Sequence, residues 1–419
     1  MVDSDRSQSR RTYLKTLGAA GTVGMSGLAG CTLLGSGGDG DSSETITIAA
    51  TVPETGQFSS LGAAVKQGYE LGVARMDEQL DADVELIMQD DESDPEVVRQ
   101  NLTQITSNNE VDMIWGSFSS LLVTAGSAYA ESQGIPFIGA FFAYEAPHRN
   151  SGYEWTYSPF PKSRDVARST RGLLELIPEA ERPTNVGLWE PNSGWGEEQA
   201  DYWEETLTDA GYDVVLRETF SLGNQDFATL ISQSESANVE ALLSTPTPPG
   251  GITAVNQMQA NNWSPDVLKF VRAADPTAWW SALGDSGAYA CMCPGWVPGL
   301  TGGGNQAMWS AYESEYGLDD GELIRTPVGG AYNVAQTSLQ AIQGAESTDA
   351  GALQETLRSQ DFETVIGTFG FEDNGLPAEG DLTAPTGQWW EGNQHTVYPD
   401  VDGRGAIDFQ YPIPAWSER

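Results

Sequence analysis

The chain has 419 residues, and its 60 acidic and 20 basic side chains give a formal charge of −40. A field of that sign repels nucleic acid and anionic lipid, and no basic patch interrupts it, so a nucleic-acid-binding role is excluded. Lysine occurs only at Lys15, Lys66, Lys162 and Lys269, while the acids are spread along the whole chain without blocks. This is the pattern of a solvated surface adapted to very high salt, where the Debye length falls to ~3 Å or less. On that reading the acidity reflects habitat, and the fold is expected to be lost when salt is dialysed away.

Residues 9–31, "SRRTYLKTLGAAGTVGMSGLAGC", combine paired arginines, a short apolar run rich in Gly and Ala, and a cysteine after small residues. The run falls well short of the ~20 apolar residues that a spanning helix needs. Its order is that of an export signal: "SRRTYLK" resembles the twin-arginine type and "LAGC" resembles a lipobox, cut before Cys31 so that its thiol carries a lipid. "GSGGDGDSS", residues 35–43, has nothing apolar to bury and reads as a flexible tether. The expectation is a signal over 1–31, a tether over 32–43 and a globular part from residue 44, with no later run of spanning length. That globular part is too long for one ordinary core and suits two lobes of ~150 to 200 residues.

From residue 45 strand and helix signals alternate. "TITIAATVP" is a β-branched apolar run, and "LGAAVKQGYELGVARMDEQL" comes next with Leu61, Val65, Tyr69, Val73 and Met76 at helical spacing. "DVELIMQDD" is a second strand, and "DPEVVRQNLTQITSNN" a helix with Asp94 as N-cap and Pro95 in its first turn. "VDMIWGSF", "SSLLVTAGSAYAESQG" and "IPFIGAFF" continue the series. A second series begins at "SRDVARSTRGLLELI" and runs through "TNVGLWEP", "GEEQADYWEETLTDAG", "YDVVLRETF", "FATLISQSESAN", "VEALLSTP", "GITAVNQMQANN" and "DVLKFVRAA". Strands separated by helices imply parallel sheets with right-handed crossovers, so the fold class is α/β with two Rossmann-like lobes. Three helical segments and two stretches of hairpin material complete the chain, and "DFQYPIPAW" has too many prolines for a central strand.

Catalysis finds no support in the chain, though the sequence does not exclude it. His148 and His395 are the only histidines, and neither neighbours a Gly-flanked serine. There is no P-loop, and "GWGEEQ" lacks the third glycine of a dinucleotide fingerprint. Cys291 and Cys293 in "YACMCPGW" fall on one face of a short strand, a poor geometry for a disulfide and too few ligands for a metal; they read as small buried side chains. No cofactor or metal is implied. Parallel α/β sheets bind ligands beyond the carboxyl ends of their strands, which directs attention to the turns. "GSFSS" places Ser119 or Ser120 as cap of a helix whose free N–H groups favour an anion. "GAFFAYE" puts aromatics at a strand end, and "EPNSGWG" puts Trp195 between glycines in a loop, a costly place for a large ring unless something covers it.

The segments "ITIAATVPETGQFSSLGAAVKQGYELGVARMDE", "VELIMQDDESDPEVVRQNLTQIT", "VDMIWGSFSS", "AESQGIPFIGA" and "TNVGLWEPNSGWG", taken in this order, resemble the branched-chain amino-acid-binding proteins, extracellular solute receptors of ABC importers. The resemblance covers nearly all of the chain after the tether. It implies the type I periplasmic binding-protein fold, with three crossovers between two lobes, 44–157 plus 296–383 and 158–295 plus 384–419, and the solute held in the cleft between them. It implies a lipid-anchored receptor on the outer face of the cell membrane that delivers a branched-chain or other apolar amino acid to ABC permease subunits. Carried over position by position, the serine that receives the ligand carboxylate falls at Ser120, with Ser119 beside it. The backbone after the fourth strand falls at Phe141, Phe142 and Ala143, the last where the family often has Thr. The aromatic loop positions fall at Leu61 and Trp195, and the loop after "VEALLS" at Thr245, Pro246 and Thr247. The acid that pairs with the ammonium falls at Asp275, displaced by about one residue. If Asp275 faces elsewhere, a neutral amide or urea-like solute, or an aromatic acid stacked on Trp195 and Phe142, is implied instead. The same fold also serves as the sensing subunit of signalling complexes.

Overall fold

The computed structural model describes residues 44–80 and 82–419. The signal and tether expected over 1–43 lie outside the described residues. The first lobe opens with β1 (Glu44–Val52), α1 (Ser59–Gln79), β2 (Ala82–Asp90), α2 (Pro95–Asn108), β3 (Met113–Trp115), α3 (Ser120–Gln133), β4 (Phe137–Ile138), α4 (Ala146–Ser151) and β5 (Thr156–Tyr157). Its five strands form a parallel sheet in the order β2-β1-β3-β4-β5. Central β1 is buried from residue 46 to 52, as a strand covered by helices on both faces must be. At α2 the local signals act as expected: the Asp94 side chain accepts the Glu96 N–H at 2.7 Å, and Pro95 occupies the first turn.

The chain then crosses over and builds α5 (Ser163–Glu175), β6 (Asn185–Pro191), α6 (Gly194–Asp209), β7 (Asp213–Phe220), α7 (Ala228–Ser236), β8 (Ala241–Ser244), α8 (Pro248–Ala260), β9 (Val267–Phe270), α9 (Ala278–Leu283) and β10 (Cys291–Met292). It returns to the first lobe for α10 (Asn305–Glu315), α11 (Thr326–Ala345), α12 (Ala350–Ser359) and the small hairpin β11 (Phe362–Thr364) and β12 (Gly367–Phe369). A third passage leads to β13 (Thr386–Trp390) and β14 (Asn393–Tyr398), an antiparallel hairpin that extends the second sheet to β14-β13-β10-β9-β8-β6-β7. The hairpin signals in "TGQWWEGNQHTVYP" are therefore realised at the edge of an otherwise parallel sheet, a common position for antiparallel strands. No strand forms over "DFQYPIPAW".

Helix α11 docks on α1 and ties the returning segment to the first sheet. The approach is close enough that a Cβ at Gly72 would lie 2.2 Å from that of Ala335, so glycine is required there by contact. The second lobe has its own aromatic core, in which Trp189 stacks on Phe227 with ring centroids 5.8 Å apart. Among the described residues no helix is long and apolar enough to cross a membrane.

Candidate functional site

The carboxyl ends of both parallel sheets face a common cleft. The turn after β3 contributes Phe118, Ser119 and Ser120; the loop after β4, Phe141 and Ala143; the first crossover, Phe160. From the second lobe come Val166 on α5, Trp195 on α6, Val271, Arg272 and Asp275 after β9, and Cys293 and Pro294 after β10. They enclose an inner chamber of about 30 Å³. An outer chamber of about 160 Å³ adjoins it and shares Ser120, Trp195 and Arg272 as a common wall.

The first-lobe wall is neutral. Ser119 stands at the N-cap of α3 with a φ of +75°, and its side chain makes no capping hydrogen bond. The hydroxyls of Ser119 and Ser120 are both buried without a hydrogen-bond partner among the described residues. The expected capping serine is therefore a free donor beside a helix N-terminus whose first N–H groups lack intrahelical acceptors. Phe141 also has positive φ, +59°, an uncommon conformation for an aromatic residue. Its ring lies 4.8 Å from that of Phe118 and 5.6 Å from that of Phe160. It presses on α11 so closely that a Cβ at Gly330 would be 2.7 Å from it.

The second-lobe wall carries the charges. The Arg272 guanidinium is 6% exposed and lies between the rings of Phe58, at 5.4 Å, and Trp195, at 5.0 Å. Its Nε donates to the Pro246 carbonyl at 3.2 Å, and its Nη2 has no partner among the described residues. Burial without a nearby anion pushes its pKa down to about 9. The Asp275 carboxylate is 3% exposed and accepts from the Thr326 hydroxyl, with burial pushing its pKa up to about 7. Trp195 stands in the first turn of α6, capped by Ser193, whose Oγ accepts the Gly196 N–H at 3.1 Å; it is not in a loop. The cover that its ring requires is Arg272. Its indole Nε1 is another buried donor without a partner among the described residues.

Six of the residues singled out in the sequence meet at the inner chamber: Ser119, Ser120, Phe141, Ala143, Trp195 and Asp275. The other five do not line it. Leu61 is buried in the first-lobe core. Phe142 packs under the Lys162 ammonium, 5.5 Å from ring centroid to Nζ, and against His148. Thr245, Pro246 and Thr247 sit one layer behind, where the Pro246 carbonyl holds Arg272. The backbone after β4 is also partly engaged within the protein. Lys162 Nζ donates to the Phe142 carbonyl at 2.6 Å, and Ser163 donates to that of Ala143 from its N–H and its hydroxyl. Arg272 was not among the residues singled out in the sequence. Its signal was an arginine two positions past the end of a buried strand, in a chain poor in basic residues.

The sequence profile of the periplasmic binding protein family matches residues 45–384. The chain belongs to that family. Among its relatives, Leu/Ile/Val-binding protein homolog 7 of Brucella abortus (strain 2308) is 24% identical over 393 residues, 87% of this chain and 94% of the relative. A leucine-binding protein of Thermotoga maritima has a like structure, with a TM-score of 0.72 and 17% identity, covering 84% of this chain and 97% of that one. A solute-binding protein of R. palustris in complex with benzoate gives a TM-score of 0.71 at 16% identity, covering 87% and 98%. The two lobes of this periplasmic binding protein are accordingly of the type I fold, and the family is one of solute receptors.

Proposed function

We propose that the protein is the solute-binding component of an ABC importer and that it captures a branched-chain or other apolar amino acid between its lobes. One observation carries the reading: Arg272 and Asp275, of opposite sign, line the same chamber, both are buried, and they form no ion pair with each other or with another described residue. A buried charge without a partner costs several kcal/mol, so such a pair calls for a ligand that brings both signs. An amino acid does so. Its carboxylate, with four lone-pair sites, matches the unpartnered donors of Ser119, Ser120, Trp195 and Arg272. Its ammonium matches Asp275, and Phe118, Phe141 and Val271 supply an apolar wall for its side chain. The names of the Brucella and Thermotoga relatives support this class, and the benzoate of the R. palustris neighbour adds aromatic acids to the solutes worth testing.

The inner chamber, about 30 Å³, is far smaller than the roughly 300–1,000 Å³ of an ordinary ligand pocket. Solute therefore enters when the lobes part, and contacts to both walls select the closed state. For this motion we take 44–157 plus 296–383 as one lobe and 158–295 plus 384–419 as the other. Calorimetry at high salt with leucine, isoleucine, valine and phenylalanine tests the reading. Heat from at least one is expected, and silence from all would remove amino acids as the solute.

The same reading includes export by the twin-arginine route, a lipid on Cys31 that holds the receptor at the outer face of the membrane, and delivery to permease subunits there. A tether keeps the receptor at high effective concentration near its permease. Adaptation to high salt has support at the surface: of the three described lysines, Lys162 and Lys269 are buried and only Lys66 reaches solvent. Intact-mass measurement of the native protein tests the anchor. A mature N-terminus other than Cys31, or no lipid mass, removes it.

A further inference from the structure

The lobes also meet away from both chambers, along a seam where the start of α6 faces the loop before α4. Glu198, one turn into α6 of the second lobe, accepts the backbone N–H of Glu145 at 2.8 Å on one carboxylate oxygen and that of Ala146 at 2.9 Å on the other, both in the first lobe. The Ser163 hydroxyl of its own lobe donates to it at 2.7 Å. Alongside, Arg164 of the second lobe donates through Nη1 to the Glu145 carboxylate at 3.0 Å and through Nη2 to the Pro377 carbonyl at 2.9 Å, two further acceptors in the first lobe. The seam is tight: a Cβ at Gly194 would lie 2.4 Å from the Tyr144 hydroxyl oxygen.

The first lobe does not satisfy these N–H groups itself. Glu145 stands at the N-cap of α4, but its side chain makes no capping bond and is held instead by Arg149, at 3.0 Å from Nε, and by Arg164. The donors of Glu145 and Ala146 are taken up by a carboxylate from the other lobe, in bonds roughly twice as strong as neutral ones. Glu145, Ala146, Arg164 and Glu198 line neither chamber, so a solute in the cleft does not touch them.

We infer that Glu198 is an affinity-setting clasp, which draws the two lobes together whichever solute lies between them. The inference rests on the proposed capture of solute between the lobes and adds a residue that the solute does not meet. When the lobes part, Glu198 exchanges its two inter-lobe bonds for water, so the clasp raises the closed population by what those bonds gain over water. The apparent affinity of every solute scales with that population. The clasp also offsets part of the cost of enclosing Arg272 and Asp275 without an ion pair.

Glu198→Gln breaks the clasp, because an amide nitrogen cannot accept the second N–H. Small-angle X-ray scattering at high salt from the solute-free proteins is expected to give a larger radius of gyration for the variant. Calorimetry with leucine, isoleucine, valine and phenylalanine is expected to show every binder weakened by the same factor, about tenfold. Glu198→Asp keeps the charge but is one methylene too short to span both N–H groups, and it repeats both measurements should the first variant fold poorly. Equal radii for the solute-free proteins, or losses that differ from one binder to the next, overturn the clasp. Silence from all four amino acids, with a larger radius in the variant, overturns the amino-acid reading and keeps the clasp.

Discussion

The two walls of the cleft are built on opposite principles. The first-lobe wall presents hydroxyls, a helix N-terminus and aromatic rings, and no residue that lines the chamber from this side carries a full charge. The second-lobe wall presents Arg272 and Asp275, each buried and neither in an ion pair among the described residues. A neutral wall tolerates being open to water or closed without solute, because its groups lose little by desolvation. A charged wall does not, and its demand for partners is what makes closure depend on the solute. Under the proposed function, selectivity is expected to rest with the second lobe and orientation with the first.

This contrast can be broken most directly at Arg272. Arg272→Met is expected to cost ~3 kcal/mol of solute affinity, on the order of a hundredfold or more, for any carboxylate in calorimetry. The same change is expected to raise the melting temperature of the solute-free protein, because an uncompensated buried charge is removed. A binding loss without that stabilisation would mean that Arg272 is paired in the free state. Asp275→Asn sharpens the contrast within the charged wall: leucine affinity should fall by ~1.5 to 3 kcal/mol, and unchanged affinity would rule out its ammonium role.

The pH dependence comes from the same carboxylate. Its pKa is raised to about 7 in the solute-free protein, so it is ionised and ready for an ammonium only above that value. Leucine affinity should drop as pH falls from 8 to 6, by up to about tenfold per unit at the limit. For folding the sign is the reverse: a carboxyl whose folded pKa exceeds its unfolded value gives its full stabilising contribution at low pH and loses it as pH rises through about 7. Thermal melts of the solute-free protein between pH 5 and pH 8 at constant high salt read that trend; a rise in stability across the interval would contradict it. The smallest effect belongs to the neutral wall, where Ser120→Ala should cost ~1 kcal/mol and leave the pH profile unchanged. A larger loss would shift weight from the charged wall to the neutral one.

Much of the architecture was legible from local pattern. The alternation of β-branched runs with helical spacing, Asp94 with Pro95 at α2, and the prolines after residue 407 each act through neighbours in sequence, so their outcome does not wait on the fold. The serines after β3 and the ring of Trp195 were also visible as anomalies. What they do was not: Ser119, at positive φ, makes no cap, and Trp195 is covered by an arginine 77 positions later in the chain. Five of the positions carried over by resemblance lie behind the cavity, because side-chain direction and loop depth are set by packing between layers. Leu61 at the start of α1 is an example.

The sequence by itself determined the fold class, the strand-end location of the site and the chemistry available there, because periodicity and residue type are local properties. Only the tertiary structure decided that Arg272 and Asp275 form no ion pair among the described residues, since the worth of a charge depends on what else reaches it. The division of the cleft into two chambers with a common wall was likewise decided only when both lobes came together.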